Sequence, residues 1–330
     1  MSSPALQEIE KGSSLWHDAW LRLRKNRAAI FCLVFLFFIA SACVILPVFT
    51  MHPGDQGMLA KMSFLKDPSL MSLPDKNLPP SAEHWFGTDH LGRDIFSRVL
   101  YGGRVSLLVG VVTTCVALVI GTIVGATAGY TGGRTDTFLM RLVDILYSLP
   151  FLVIVILLAT AMKPVTDGMT DWVIKKTSWD RKAVEPVTTL VPLFMAIGAL
   201  SWLNLARIVR SQVLDLVKRE FVEAARSLGL GHVRILFRHI LPNALGPVIV
   251  YTTLTVPGVM LFEAALSFLG LGIKPPNSSW GTLIQEGADR MVSNPWLLAF
   301  PALFFSSTLL ALNFLGDGLR DALDPKSSKD

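Results

Sequence analysis

Apolar residues run along this chain in six long stretches, at about 29–49, 104–130, 138–162, 188–209, 244–272 and 297–316. Each is near the roughly 20 residues that a helix needs to cross the hydrocarbon of a bilayer. The short alternating segments of a membrane barrel are absent. Helices satisfy all their backbone groups within one segment, so they are the form expected in lipid. The pattern predicts an all-α membrane protein with six transmembrane helices.

The polar stretches set the orientation. Lys11, Arg22, Arg24, Lys25 and Arg27 precede the first apolar run. Arg210, Lys218, Arg219, Arg226, Arg234 and Arg238 follow the fourth, and Arg320, Lys326 and Lys329 lie near the end. With six spans all three segments share one side, which the positive-inside rule makes cytoplasmic. Both termini are expected there. The first apolar run exceeds the roughly 7–15 residues of a secretory signal core, so it reads as a retained span.

Composition strengthens the membrane reading. Charged residues make up 17% of the 330, against about 25% in soluble domains, and mean hydropathy is +0.51. The net charge of +5 follows from cations at span ends, and no basic stripe interleaved with aromatics points to nucleic acid. Cys32, Cys43 and Cys115 lie inside apolar runs, where a thiol acts as a small hydrophobe. No metal-ligand spacing is present, and no GxxxxGK[ST] phosphate loop occurs. If nucleotide drives this protein, another polypeptide binds it.

Several local patterns carry structure. In the loop after the first span, Asp94 is placed to cap a short helix with Ile95, Val99 and Leu100 on one face. Ala117, Gly121, Gly125 and Gly129 form a stripe of small residues, expected to let another helix of this chain, or of a partner, approach closely. The spacing of Arg141 and Asp144 predicts an i, i+3 pair, and Arg207 is expected to snorkel to the membrane surface. Glu263 is a candidate intramembrane functional acid, or else a structural acid near the outer leaflet.

The segment Glu220–Asn243 is polar although apolar runs flank it. Phe221, Ala225 and Leu228 repeat at helical spacing, as do Val233, Leu236, Phe237 and Ile240. Gly229 is expected to supply the left-handed residue that ends the first helix, and Pro242 to break the chain before the fifth span. The result is a helix, a sharp turn and a second helix at the membrane surface. It either rests on lipid or docks a partner, and the small side chains of Ala224 and Ala225 suit a protein groove better than lipid.

At these residues the chain resembles the permease subunits of bacterial ATP-binding-cassette importers. Glu223-Ala224-Ala225, then Gly229, then Leu241-Pro242 match the loop pattern of that family, with His239 where many members carry isoleucine. Phe86 to Leu107, Leu266 to Gly281 and Gly316 to Lys326 resemble its dipeptide and oligopeptide permeases, most closely the oligopeptide C-subunit branch. The external segment 163–187 looks longer than usual there.

The resemblance implies a type I importer architecture. An N-terminal amphipathic segment (1–28) precedes the first transmembrane helix (29–49) and a periplasmic loop (50–103). A permease core of five transmembrane helices (104–317) and a cytoplasmic tail (318–330) follow. It implies no catalytic residue, no metal and no cofactor on this chain, with ATP and Mg on partner ATPase subunits. Implied partners are a homologous permease, two ATPases, a peptide-binding protein and the bilayer of the bacterial inner membrane. Glu223, Ala224, Ala225, Gly229, Leu241 and Pro242 are then the ATPase-coupling residues of a cytoplasmic coupling helix. A dipeptide, nickel or other small-solute permease of the same family is the alternative. An ATP-independent secondary transporter would need several polar groups at mid-membrane, where Glu263 stands nearly alone.

Overall fold

A computed structural model of the chain describes residues 15–49, 65–178, 181–188, 190–273 and 277–323. The ends of the termini, with Lys11, Lys326 and Lys329, and the early part of the expected external loop lie outside the described residues. The helices are α1 (Leu15–Lys25), α2 (Arg27–Ile45), α3 (Ile95–Thr131), α4 (Gly133–Ser148), α5 (Phe151–Ala161), α6 (Lys163–Thr177) and α7 (Arg181–Thr188). They continue as α8 (Val191–Leu216), α9 (Glu220–Ser227), α10 (His232–Ile235), α11 (Leu241–Phe268), α12 (Trp280–Ala288) and α13 (Trp296–Leu323). Thr88 and Asp94 form an isolated antiparallel bridge. The chain is all-α, as its hydrophobic pattern predicts.

Among the described residues, five helical runs are long and apolar enough to cross a membrane: Arg27–Ile45, Ile95–Thr131, Phe151–Thr177, His232–Phe268 and Trp296–Leu323. The 26-residue α8 covers the fourth expected span and lies at the centre of the bundle. Asp94 does cap a helix, its side chain accepting the Ser97 N–H at 2.9 Å. That helix is not a separate short one. It runs straight on as α3 for 37 residues, roughly 55 Å, well beyond the thickness of the hydrocarbon.

The third expected span is interrupted. Leu149 and Pro150 are extended, and they divide 138–162 into the amphipathic α4 and the apolar α5. Pro150 lacks an N–H and pushes the residue before it out of the helical region. The apolar run continues through α5 into α6, so the segment expected as an external loop is itself helical. The expected Arg141–Asp144 pair does not form. Asp144 accepts instead from Arg207 of α8 at 2.8 Å, and that guanidinium lies over the Tyr147 ring at 4.4 Å to its centroid. An apolar bundle gives an exposed arginine few acceptors, and a carboxylate on the facing helix outcompetes solvent.

The tightest pairing in the fold joins α3 to α8. It follows from the small-residue stripe, which packs within this chain. A methyl group on Gly121 would stand 3.0 Å from Leu205 Cβ, and one on Gly129 2.8 Å from the Arg210 carbonyl. On Gly125 it would collide with the Ala206 carbonyl. The opposite half of α3 belongs to a second core, where Val99, Met260, Trp280 and Leu283 join α3, α11 and α12. Cys43 is buried in this core, whereas Cys115 faces outward.

Gly125→Val is expected to destabilise the protein by about 1–3 kcal/mol through overpacking at the α3–α8 contact. Gly168→Ala on α6, where nothing lies within 4 Å of the added carbon, is expected to be neutral or slightly stabilising. Thermal unfolding of the two variants in detergent micelles checks the contrast.

Candidate coupling loop

α9 carries Glu220 and Glu223 in its first turn and Arg226 in its last, charges that suit the two ends of a helix dipole. It ends on a glycine turn. The Gly229 N–H donates to the Arg226 carbonyl at 2.9 Å and the Leu230 N–H to the Ala225 carbonyl at 3.2 Å. This is a Schellman motif, with Gly229 left-handed at φ +73° as expected. Nothing lies within 4 Å of a carbon added there, so the backbone angle alone requires glycine.

The loop sits on the ends of three long helices. Val222 and Ala225 of α9, Ile235 and Ile240 pack with Ala126 of α3, Val209 and Val213 of α8, and Ala244 and Val248 of α11. Tyr130 Oη and His232 Nδ1 stand 3.0 Å apart, tying the end of α3 to the start of α10. The inward face differs from the expected one. Val222 takes the place predicted for Phe221, and Ile235 that predicted for Val233. Phe221, Leu228, Val233 and Phe237 are exposed instead, Leu228 by 80% and Val233 by 71%. The segment is apolar on two sides, and periodicity alone does not say which side meets its own bundle.

Of the expected coupling residues, Glu223 and Ala224 are exposed and Ala225 is buried against the bundle. The Glu223 carboxylate has no partner among the described residues, so the outward surface combines a free anion with apolar side chains. Pro242 does not break the chain. A π turn at Leu236–Ile240 precedes it, with the Leu241 N–H donating to the Leu236 carbonyl, and α11 continues through Leu241 and Pro242. Pro242 falls in the first turn of α11, where a missing N–H costs little, and Asn243 Nδ2 covers the His239 carbonyl at 2.6 Å.

Glu263 lies far from this loop, 22 residues and roughly 33 Å along α11 from Leu241. It is fully buried. Ser267 Oγ donates to one carboxyl oxygen at 2.7 Å and Ser106 Oγ to the other at 3.3 Å. Ser106 Oγ in turn accepts the Trp280 N–H at 3.1 Å. Glu263 thus joins α3, α11 and the start of α12.

Near that end stands a charged cluster to which the sequence reading gave no role. Asp89 is 2% exposed and accepts from Arg93 Nε at 2.6 Å and Arg98 Nη1 at 2.8 Å. Arg98 grips Glu286 of α12 with both terminal nitrogens, at 2.7 and 2.9 Å. Burial acts to raise the Asp89 and Glu286 pKa values, but the arginines outweigh it and hold both carboxyls below their ordinary range. His90 lies with Asp89 and Glu286 in a group whose ligand atoms fall within 4.8 Å of one another. The two guanidiniums already take the carboxylate oxygens that a metal would need, so the chemistry is that of a clamp. His84 Nδ1 meets Asp94 at 2.9 Å and its Nε2 meets Lys66 Nζ at 3.1 Å, binding the preceding loop to the cap of α3. The four charges in Asp89 to Arg98 were visible in the sequence, but Glu286 is 188 residues beyond Arg98 and no local pattern pairs them.

The family described as binding-protein-dependent transport system inner membrane component matches residues 117–329, and the N-terminal transmembrane domain of oligopeptide transport permease C matches residues 14–80. The oligopeptide transport system permease protein OppC of Escherichia coli K12 is 45% identical over 97% of this chain and 93% of its own length. That of Haemophilus influenzae is 44% identical, covering 97% and 92%. The dipeptide transport system permease protein DppC of Bacillus subtilis is 42% identical, covering 95% and 86%. A solved inward-facing structure of the MetNI methionine ABC transporter overlays with a TM-score of 0.45 at 20% identity, covering 70% of this chain and 96% of that one. This chain belongs to the binding-protein-dependent transport system inner membrane component family.

Arg98→Gln is expected to cost about 3–5 kcal/mol, because it removes the two-pronged partner of Glu286 and one of the two guanidiniums on buried Asp89, leaving only Arg93 beside both. The clamp also sets a pH dependence. Both acids have depressed folded pKa values, so their contribution is present above the ordinary carboxylate values of 3.8 and 4.5 and is lost as pH falls below them. Thermal unfolding from pH 7 to pH 3 should show a steeper acid loss in the parent protein than in Arg98→Gln.

Proposed function

We propose that this chain is the transmembrane permease subunit of an ATP-driven oligopeptide importer, multi-pass in the bacterial inner membrane, with both termini and the α9 loop in the cytoplasm. It forms the translocation pathway with a homologous permease. A peptide-binding protein delivers substrate at the face carrying α12, and two ATPase subunits dock on the cytoplasmic face. The chain catalyses nothing itself; ATP and Mg belong to the ATPases.

The observation that carries the coupling role is the two-sided surface of the α9 loop. Val222 and Ala225 bind it to the ends of α3, α8 and α11, while Leu228, Val233 and Phe237 face away. A patch of exposed apolar side chains beside a free Glu223 is a protein-docking surface rather than a solvated one. Force applied there reaches three helices at once. Switching a two-state transporter from 1:99 to 99:1 takes about 5.5 kcal/mol of differential binding. The Schellman turn at Gly229 gives the loop the stiffness to transmit it. Glu223 supplies a charge-assisted contact with the ATPase, and Ala224 allows close approach.

Peptide is favoured over other solutes by the oligopeptide and dipeptide permeases that are 42–45% identical to this chain. Uptake of labelled di-, tri- and pentapeptides by the reconstituted complex tests the substrate class, and uptake without nucleotide would overturn the proposal.

Leu228→Asp and Gly229→Pro are expected to abolish co-purification of the ATPase and nucleotide-dependent uptake. Glu223→Ala should weaken association about tenfold, as loss of one charge-assisted contact predicts. Surface binding measurements with the purified ATPase give the ratio.

A further inference from the structure

The first span fixes where its own start lies. α2 rises roughly 28 Å over its 19 residues, close to the thickness of about 30 Å of the hydrocarbon. No charge occurs between Ala28 and Phe49, so Arg27 stands at one edge of the lipid core. α1 is joined to α2 by a single non-helical residue. Asn26 is extended, its side chain accepts the Ala29 N–H at 3.1 Å, and its own N–H donates to the Leu23 carbonyl at 3.0 Å. This short, hydrogen-bonded corner keeps α1 beside the membrane surface.

α1 has two faces with different partners. Ala19 and Leu23 are buried, and Leu23 packs with Ala29 and with Leu319 and Ala322 of α13. That face is used within the protein. On the opposite face Trp20 is 48% and Leu21 45% exposed. Arg24 and Lys25 stand one turn beyond them, so each apolar side chain has a cation as its neighbour. Arg27 is also exposed, and Phe31, one turn further into the span, is exposed by 72%. Arg24, Lys25 and Arg27 take no carboxylate partner among the described residues.

Three cations, a tryptophan and a leucine at the edge of a span are complementary to an anionic bilayer surface. The indole and the leucine suit the acyl boundary, and long basic side chains reach from it to phosphates. The exposed surface of the coupling loop has the other character, with apolar side chains beside the anion of Glu223. A protein docking on α1 would have to bring an acidic groove down to the level of the lipid.

We propose that α1 is a recognition helix for anionic phospholipid. Trp20 and Leu21 enter the acyl boundary, and Arg24, Lys25 and Arg27 hold headgroup phosphates. Bound lipid thereby steadies the contact of Leu23 with Leu319 and Ala322 at the end of α13. The assignment does not depend on which solute the chain carries.

The test places an environment-sensitive nitrobenzoxadiazole label on Leu21→Cys in a Cys115→Ser background; Cys32 and Cys43 are buried and stay unlabelled. The full complex is reconstituted in vesicles of phosphatidylcholine, with and without phosphatidylglycerol. Emission should shift to the blue and brighten when phosphatidylglycerol is present, and the change should shrink as salt screens the charges. Each cation near an anionic surface contributes about fivefold in affinity, so the triple variant Arg24→Gln, Lys25→Gln, Arg27→Gln should bind that surface about a hundredfold more weakly and show no shift. The charge-conserving pair Arg24→Lys, Arg27→Lys should keep the shift. Identical emission in the two kinds of vesicle overturns the assignment, and that comparison needs no charge variant to fold. A response that survives the triple variant also overturns it. So does one that follows the presence of the ATPase subunits and ignores lipid charge, since a protein would then cover this face. The readout does not involve uptake, so a failure of the peptide reading leaves it unaffected.

Discussion

Between α3 and α8 the backbones approach closely enough that no side chain fits at Gly125. In lipid, apolar side chains gain little by leaving one apolar surface for another, so such a contact is held by dispersion and shape. The rest of the molecule is arranged around it. α3 reaches one core through Val109 and Ala117, with α8, and another through Val99, with α11 and α12. A separation along the glycine stripe would disturb both. It would also displace the coupling loop, whose core includes Ala126 of α3 and Val209 and Val213 of α8.

The polar interactions lie towards the ends of this contact and have different characters. At the loop end, Arg207 and Arg210 tie α8 to α4 through partly exposed ion pairs, which are weak and adjustable. At the other end, the cluster of Asp89, Arg93, Arg98 and Glu286 is mostly buried and has one well-paired arrangement. A transporter that moves in response to a partner at the loop has use for this asymmetry. Under the proposed coupling, the clamped end would serve as a reference, and the end that receives force would exchange pairs at low cost.

Much of this was legible in the sequence where the signal was local. The four-residue spacing of Gly121, Gly125 and Gly129 identified a contact stripe, and Gly229 identified a left-handed turn, because each is a requirement of the backbone. Asp94 read correctly as a cap for the same reason. Readings that depended on a partner were less secure. Phe221 and Leu228 share a helical repeat with Ala225, but Val222 is the residue that faces the bundle, since apolar side chains were needed on both faces. Pro242 suggested a break, yet the π turn before it absorbs the missing donor. Asp144 had Arg141 at pairing distance along the helix and took Arg207 from another. The third expected span is divided because hydropathy ran smoothly through Leu149–Pro150, where the backbone leaves the helix.

The Arg98–Glu286 bridge joins residues 188 positions apart. A ribosome adding about 5–20 residues per second takes roughly 10–40 s to cover that distance. Through that interval the nascent chain holds two arginines against a single aspartate, with the last carboxylate still to be synthesised. The clamped end of the molecule is therefore completed late in synthesis, when Glu286 reaches the earlier arginines.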